Sequence, residues 1–140
     1  VYKRQNKTQF LFRIEKGILD INDNAVNDHF AEGELRVPFR NIVYIGDSAT
    51  DIPCMRLVNS LGGHSVGVYD LENTASKDTV RRMIRDERIR YYVQADYTKG
   101  SEMDILLHQI IDKTAAYEVL EEKHLRDRKE AIIQHMEGQL

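Results

Sequence analysis

Asn41-Ile42-Val43-Tyr44-Ile45-Gly46-Asp47-Ser48-Ala49-Thr50-Asp51-Ile52-Pro53, NIVYIGDSATDIP, is the stretch on which the fold turns. The run Ile42 to Ile45 is short, apolar and β-branched, which predicts a buried strand. Gly46 is read as a tight turn at the strand tip, with Asp47 directly after it. Thr50 or Asp51 then serves as N-cap and Pro53 falls in the first turn of a helix. Met55, Leu57, Val58 and Leu61 supply its apolar face. A short loop of this kind folds both carboxylates toward one point. Two like charges about 4 Å apart cost about 4 kcal/mol at an effective dielectric near 20. A cation must offset that, or one carboxyl must protonate. Mg²⁺ suits the first route, since it takes one or two carboxylates and keeps water and phosphate oxygens for the rest. On spacing alone, a metal pair and a plain strand end followed by a helix cap remain evenly matched.

Working outward, the chain alternates. Lys7 to Ile14 (KTQFLFRI) is helix or strand by its letters, and Lys16 to Asn27 is rich in Asp and Asn, hence loop. Gly62-Gly63 stops the first helix. A second strand is expected over His64 to Tyr69, a charged helix over Thr74 to Arg88 and a third strand over Tyr91 to Ala95. Ser101 to Glu137 contains no Gly or Pro, so it forms one long helix or two with a bend. Strands alternating with helices imply βαβ units and a mostly parallel sheet, in which ligands gather at the carboxyl ends of the strands. Asp47 stands at such an end. Asp70 and Asp96 also follow strands, and there the turn-forming habit of aspartate suffices.

Composition sets the outer bounds. At 140 residues the chain fits one domain, with 41% hydrophobic and 31% charged residues. A formal charge of −3 gives no basic footprint for nucleic acid. The single cysteine, Cys54, excludes an internal disulfide framework and fits a reducing compartment. No apolar run approaches membrane-spanning length, so no membrane partner is expected and cytoplasm is the expected location. Val1-Tyr2-Lys3-Arg4-Gln5 is what GTG TAT AAG AGA CAG encodes, the mosaic end of a transposase sequencing adapter. Residues 1–5 are therefore read as translated adapter, with the natural protein cut upstream of Asn6. Without Lys3 and Arg4, 18 basic residues face 23 acidic ones and the charge is −5.

The letters around the acid pair carry a resemblance. YIGDSATDIPCM, residues 44–55, closely resembles the fourth motif of the haloacid dehalogenase (HAD) superfamily, a hydrophobic strand followed by GDxxxD. KTQFLFRIEKG, residues 7–17, looks like the third, lysine-bearing motif, with Lys7 the better match and Lys16 the weaker. The likeness runs from about Asn6 to Ile111. It implies a Rossmann-like three-layer α/β sandwich with a mostly parallel sheet, over residues 6–115, followed by a charged C-terminal helix over 116–140. It also implies phosphoryl transfer: an aspartate on another strand attacks phosphorus and forms an aspartyl-phosphate, and Mg²⁺ neutralises the transferring group. By position Asp47 would bind the metal directly, Asp51 directly or through water, and Lys7 would steady the nucleophile and phosphoryl oxygens.

The chain departs from that pattern at one place. No apolar strand followed by Asp-x-Asp occurs in the 140 residues, and the second-motif Ser or Thr is missing too. Both precede the lysine in the family, so a break before Asn6 accounts for both. The expectation is a C-terminal fragment without its nucleophile strand, inactive alone. The motif-four strand is left with an unpaired apolar edge prone to aggregation.

Other features read as structural. DINDNAVND (20–28) mimics a calcium loop, but Ala25 stands where Gly is needed and the acid at Glu32 falls one place late. Arg81, Arg82, Arg85, Arg88 and Arg90 make a solvated helix face. Cys54 belongs to the core, and the five histidines show no zinc spacing. Beyond Ala116 the apolar positions do not keep a steady heptad, so docking against the parent body is expected over a coiled coil. The leading function is a Mg²⁺-dependent phosphatase of small phosphorylated metabolites. A non-catalytic HAD-like or Rossmann-like ligand-binding domain is the alternative, separated from it by an upstream DxDx[TV] and by the effect of Asp47→Asn.

Overall fold

A computed structural model describes the backbone of residues 2–139 and the side chains of 7–31 and 33–139. The adapter reading concerns residues 1–5, whose side chains lie outside the described residues. The architecture is α/β with a small parallel sheet. Helix α1 (Tyr2–Lys16) leads through a loop of short 3₁₀ turns to β1 (Val43–Gly46). Then follow α2 (Ile52–Ser60), β2 (His64–Tyr69), α3 (Thr74–Arg85), β3 (Tyr91–Gln94) and α4 (Glu102–Gly138). KTQFLFRI is thus helical, and the C-terminal stretch is one continuous helix that runs through the boundary drawn at 116.

The strands lie in the order β1-β2-β3, all parallel, with Ile45 opposite Val66 and Val68 opposite Val93. Alternation sends Val66 and Val68 to one face, where Met103 and Ile110 of α4 cover them. The opposite face of β2 carries Gly67 and Tyr69, against Val80 and Met83 of α3 and Met55 of α2. Helices on both faces explain why all six residues of β2 are buried. A third cluster joins Leu11 of α1 to Phe39, Ile42, Cys54 and Val58, so α1 is tied to the start of β1 and to α2. No helix is long and apolar enough to cross a membrane among the described residues.

α2 ends in a Schellman motif: the Gly63 amide donates to the Val58 carbonyl (2.8 Å) and the Gly62 amide to that of Asn59 (3.2 Å). Gly62 takes φ +88°, the left-handed turn that points the chain into β2.

Candidate functional site

β1 delivers Gly46 and Asp47 to its carboxyl end, and a 3₁₀ turn, Ala49–Asp51, swings Asp51 back beneath the strand tip. Asp51 is 7% exposed and receives five donors. Lys7 Nζ (3.2 Å) and the Tyr44 hydroxyl (2.8 Å) donate to Oδ1. The amides of Asp47 (3.2 Å) and Ser48 (3.3 Å) and the Ser48 hydroxyl (3.4 Å) donate to Oδ2. Burial pushes the carboxyl upward, but the hydrogen bonds from Tyr44 and Lys7 outweigh it and hold Asp51 below the usual carboxylate range. It is ionised at neutral pH. Burial and the neighbouring Asp51 push the Tyr44 phenol strongly upward, so Tyr44 remains a donor.

Two expectations gain detail here. Asp51 is the N-cap residue of α2, as expected, but its side chain makes no cap bond there; it accepts from the amides behind it and so fastens the loop to the strand. Gly46 stands at the strand tip, as expected, without a positive φ. A Cβ there would lie 2.7 Å from both Cγ and Oδ2 of Asp51, so glycine is needed to let the carboxylate approach the strand.

The sequence-selected residues therefore meet in part. Lys7 and Asp51 form an ion pair across 44 positions of chain. Asp47 is exposed beside them, and its carboxylate takes no partner among the described residues. The pair of like charges at the strand tip is thus resolved by compensating one charge and leaving the other open to solvent. That donor set fits Mg²⁺: one free hard oxygen ligand at Asp47, and an ionised Asp51 whose occupied oxygens suit contact through water. No group of three or more His, Cys, Asp or Glu gathers among the described residues. Two acids, Asp47 and Asp51, stand at this strand tip.

Lys16 lies elsewhere: Nζ donates to the carbonyls of Val26 (2.7 Å) and Asp28 (2.9 Å) and sits 5.4 Å from the Phe30 ring centre. Its neighbour Arg13, 2% exposed, is the residue the sequence reading missed. Its guanidinium donates to the carbonyls of Ile18, Asp20, Ile21 and Asp23 at 2.6–3.3 Å. The calcium-like loop thus closes its carbonyls around a guanidinium, while Asp20 and Asp23 turn their carboxylates to the amides of Asn22 and Ala25. The only signal was a cation at the end of an apolar helix followed by a loop of turn formers. Asp70 and Asp96 also bind local amides, those of Glu72 and Thr98. Cys54 is 1% exposed and burial raises its thiol. It is a core residue. Tyr44 was quoted within the motif but given no role; its hydroxyl 2.8 Å from Asp51 supplies one.

Comparison with known proteins adds little to this geometry. No family model matches the chain, and no solved structure matches it. A protein of Borreliella burgdorferi described as an uncharacterized protein is similar, 26% identical over 97 residues. That alignment covers 69% of this chain and 32% of the relative, so the chain spans about a third of the length of the relative it matches.

Proposed function

We propose that this chain carries the lysine and acid half of a Mg²⁺-dependent HAD-type phosphatase, a cytoplasmic enzyme acting on small phosphorylated metabolites. The observation that supports it most is Lys7 held 3.2 Å from Asp51 at the tip of a parallel strand, with Asp47 free beside them. A simple strand end followed by a helix cap requires neither the lysine nor a glycine shaped to the carboxylate.

Asp47 would hold the metal directly, and Asp51, already bound by Lys7 and Tyr44, would reach it through water. When bound, Mg²⁺ supplies charge neutralisation at the phosphoryl group. Lys7 has a half-exposed side chain, so its ammonium spends one donor on Asp51 and keeps two for anionic oxygens. Tyr44 and the amides of Asp47 and Ser48 fix the Asp51 carboxylate, which in turn fixes the lysine. The attacking aspartate belongs to an upstream strand. The outer side of β1, which pairs only with β2 among the described residues, is where that strand fits in a Rossmann-like HAD core.

The test uses the source protein with its upstream residues, assayed on p-nitrophenyl phosphate with and without Mg²⁺. Asp47→Asn is expected to lower turnover at least about 100-fold, and the 140-residue chain alone to show none. Activity of Asp47→Asn equal to the unmutated protein, or hydrolysis by the chain alone, would overturn the assignment.

A further inference from the structure

Helix α4 extends about 55 Å at 1.5 Å per residue, yet only its first half is packed. Met103, Leu106, Leu107 and Ile110 lie on the sheet, and Glu118 is the last anchor, accepting from Arg40 (2.7 Å) and Asn41 (3.2 Å). Every residue from Glu122 to Gln139 is exposed. A helix of that length draws little stability from propensity and needs an apolar face covered. It has one: Leu125, Ile132 and Met136 share a face at seven- and four-residue spacing and are 50%, 48% and 62% exposed.

The charges beside that seam are arranged antisymmetrically about Leu125. Glu121 and Glu122 stand four and three residues before it, Arg128 and Lys129 three and four after it. All four flank the seam, because the same 100° steps that align Leu125 with Ile132 place them on either side. We propose that α4 is a self-association surface. Two copies of this chain pair antiparallel about a twofold axis at Leu125, with Glu121 facing Arg128 and Glu122 facing Lys129 of the second copy.

A parallel pairing sets Glu121 on Glu121 and Arg128 on Arg128, so charge selects the antiparallel arrangement. The register also delivers an apolar group to a gap in the body. Residues equidistant from Leu125 stand level along the axis, and those on the same flank face each other, so Ile132 of the second copy arrives level with Glu118. There a cavity of about 480 Å³ opens between α4 and the 33–41 segment, with Leu35, Pro38 and Leu125 as its apolar wall and Arg36, Glu121 and Glu122 among its charged lining. This short crossing needs no sustained heptad. It also differs from the docking against the parent body expected from sequence, since the segment after Leu125 leaves the body.

Sedimentation equilibrium of the 140-residue chain at about 100 µM should give a dimer, a weak isologous pair of micromolar affinity. Raising salt from about 0.1 M to 1 M shortens the Debye length from about 10 Å to 3 Å and should weaken the dimer at least tenfold. The double variants Glu121→Arg with Glu122→Lys, and Arg128→Glu with Lys129→Glu, should each be monomeric. An equimolar mixture of the two should dimerise again. Leu125→Cys, on the axis, should cross-link to itself under oxidation, and Lys123→Cys, on the far side of the helix, should not. A monomeric chain, an assembly indifferent to both charge reversals, or equal cross-linking from positions 123 and 125 would overturn the proposal. The substituted side chains are mostly exposed, and unchanged helical circular dichroism of each variant guards against misfolding.

Discussion

Strands β1 and β2 are neighbours in one parallel ladder and draw on similar apolar letters, but they live in different surroundings. All six residues of β2 are buried. In β1 only Gly46 is, while Val43 and Tyr44 are half-buried and Ile45 is 37% exposed. β2 has strands on both sides and helices on both faces; β1 pairs on one side alone among the described residues. β2 is therefore held by burial, whereas β1 is fastened at its tip by the polar knot of Tyr44, Asp51 and Lys7. The strand that carries the candidate chemistry is the one whose stability rests on hydrogen bonds.

The sharpest way to break this contrast is to remove the knot. Asp51→Ala leaves the Tyr44 hydroxyl, Lys7 and two amides without their acceptor, and should cost about 3 kcal/mol. The ion pair itself adds little to that figure, because Lys7 is half exposed and screened. Asp47→Asn, one loop away, removes a carboxylate with no partner and should change stability by less than about 0.5 kcal/mol. Urea unfolding of both variants separates the bonded acid from the open one; equal losses would refute the division. Next in size is the burial side of the comparison. Val66→Ala in β2 should cost about 2 kcal/mol through lost apolar contact and the cavity left behind. Ile45→Lys in β1 should cost under about 1 kcal/mol and lower light scattering on storage, because a charge blunts an open strand edge.

Much of this was legible, and the limits have physical causes. Short apolar runs and the Gly62-Gly63 stop placed all three strands and the helices between them, because composition and punctuation are local properties. Burial was not legible to the same degree. IVYIG and HSVGVY look alike as letters, and what separates them is the number of neighbouring strands. Lys7 meets Asp51 across 44 residues, a contact that no periodicity encodes; a motif resemblance alone brought them together. Arg13 was missed because its four acceptors are backbone carbonyls, which carry no signature in the sequence. Gly46 was placed at the strand tip, but the space it leaves for the Asp51 carboxylate is a contact the letters do not show.

A smaller effect should come from pH, again at β2. His64 opens that strand at 1% exposure, and its Nδ1 has no hydrogen-bond partner among the described residues. Burial, followed by the charges of Lys113 and Arg90, lowers its pKa below the usual value. In the unfolded chain His titrates near about 6.5, so below that pH the unfolded state takes up a proton that the folded state refuses. Stability should therefore decline as pH falls from 7 toward 5, and His64→Gln should flatten the decline. His108 works in the opposite sense: hydrogen bonding to the Asp104 carbonyl, then the Asp104 charge, raises its pKa. Its stabilisation is present at low pH and lost on alkalinisation through its folded value, so His108→Gln should steepen the decline. Asp51, depressed rather than raised, supplies stability that is lost as pH falls below the unfolded aspartate value of about 3.9, and Lys7 is released once the folded carboxyl protonates. Thermal melts of the two His variants across this range check the signs, and a stability that rises on acidification through His64 would reverse the argument.

The smallest change concerns how the chain enters each strand. α2 hands over to β2 through Gly62 at φ +88°, and α3 hands over to β3 through Glu87 at φ +57°. The two stops are built alike, for the Arg88 amide donates to the Met83 carbonyl (2.9 Å) and the Glu87 amide to that of Ile84 (3.1 Å). At Glu87, however, a residue with a Cβ occupies the left-handed position, at a cost of about 1 kcal/mol. Glu87→Gly relieves the crowding but loosens the unfolded chain, so a net gain of about 0.5 kcal/mol is expected. Gly62→Ala introduces the same crowding in front of the buried strand and should lose about 1 kcal/mol. Opposite signs in paired denaturation curves would show that β2 and β3 are reached through one turn geometry with unequal residues. Equal signs would mean that the stop after α3 is held by its surroundings and not by its backbone.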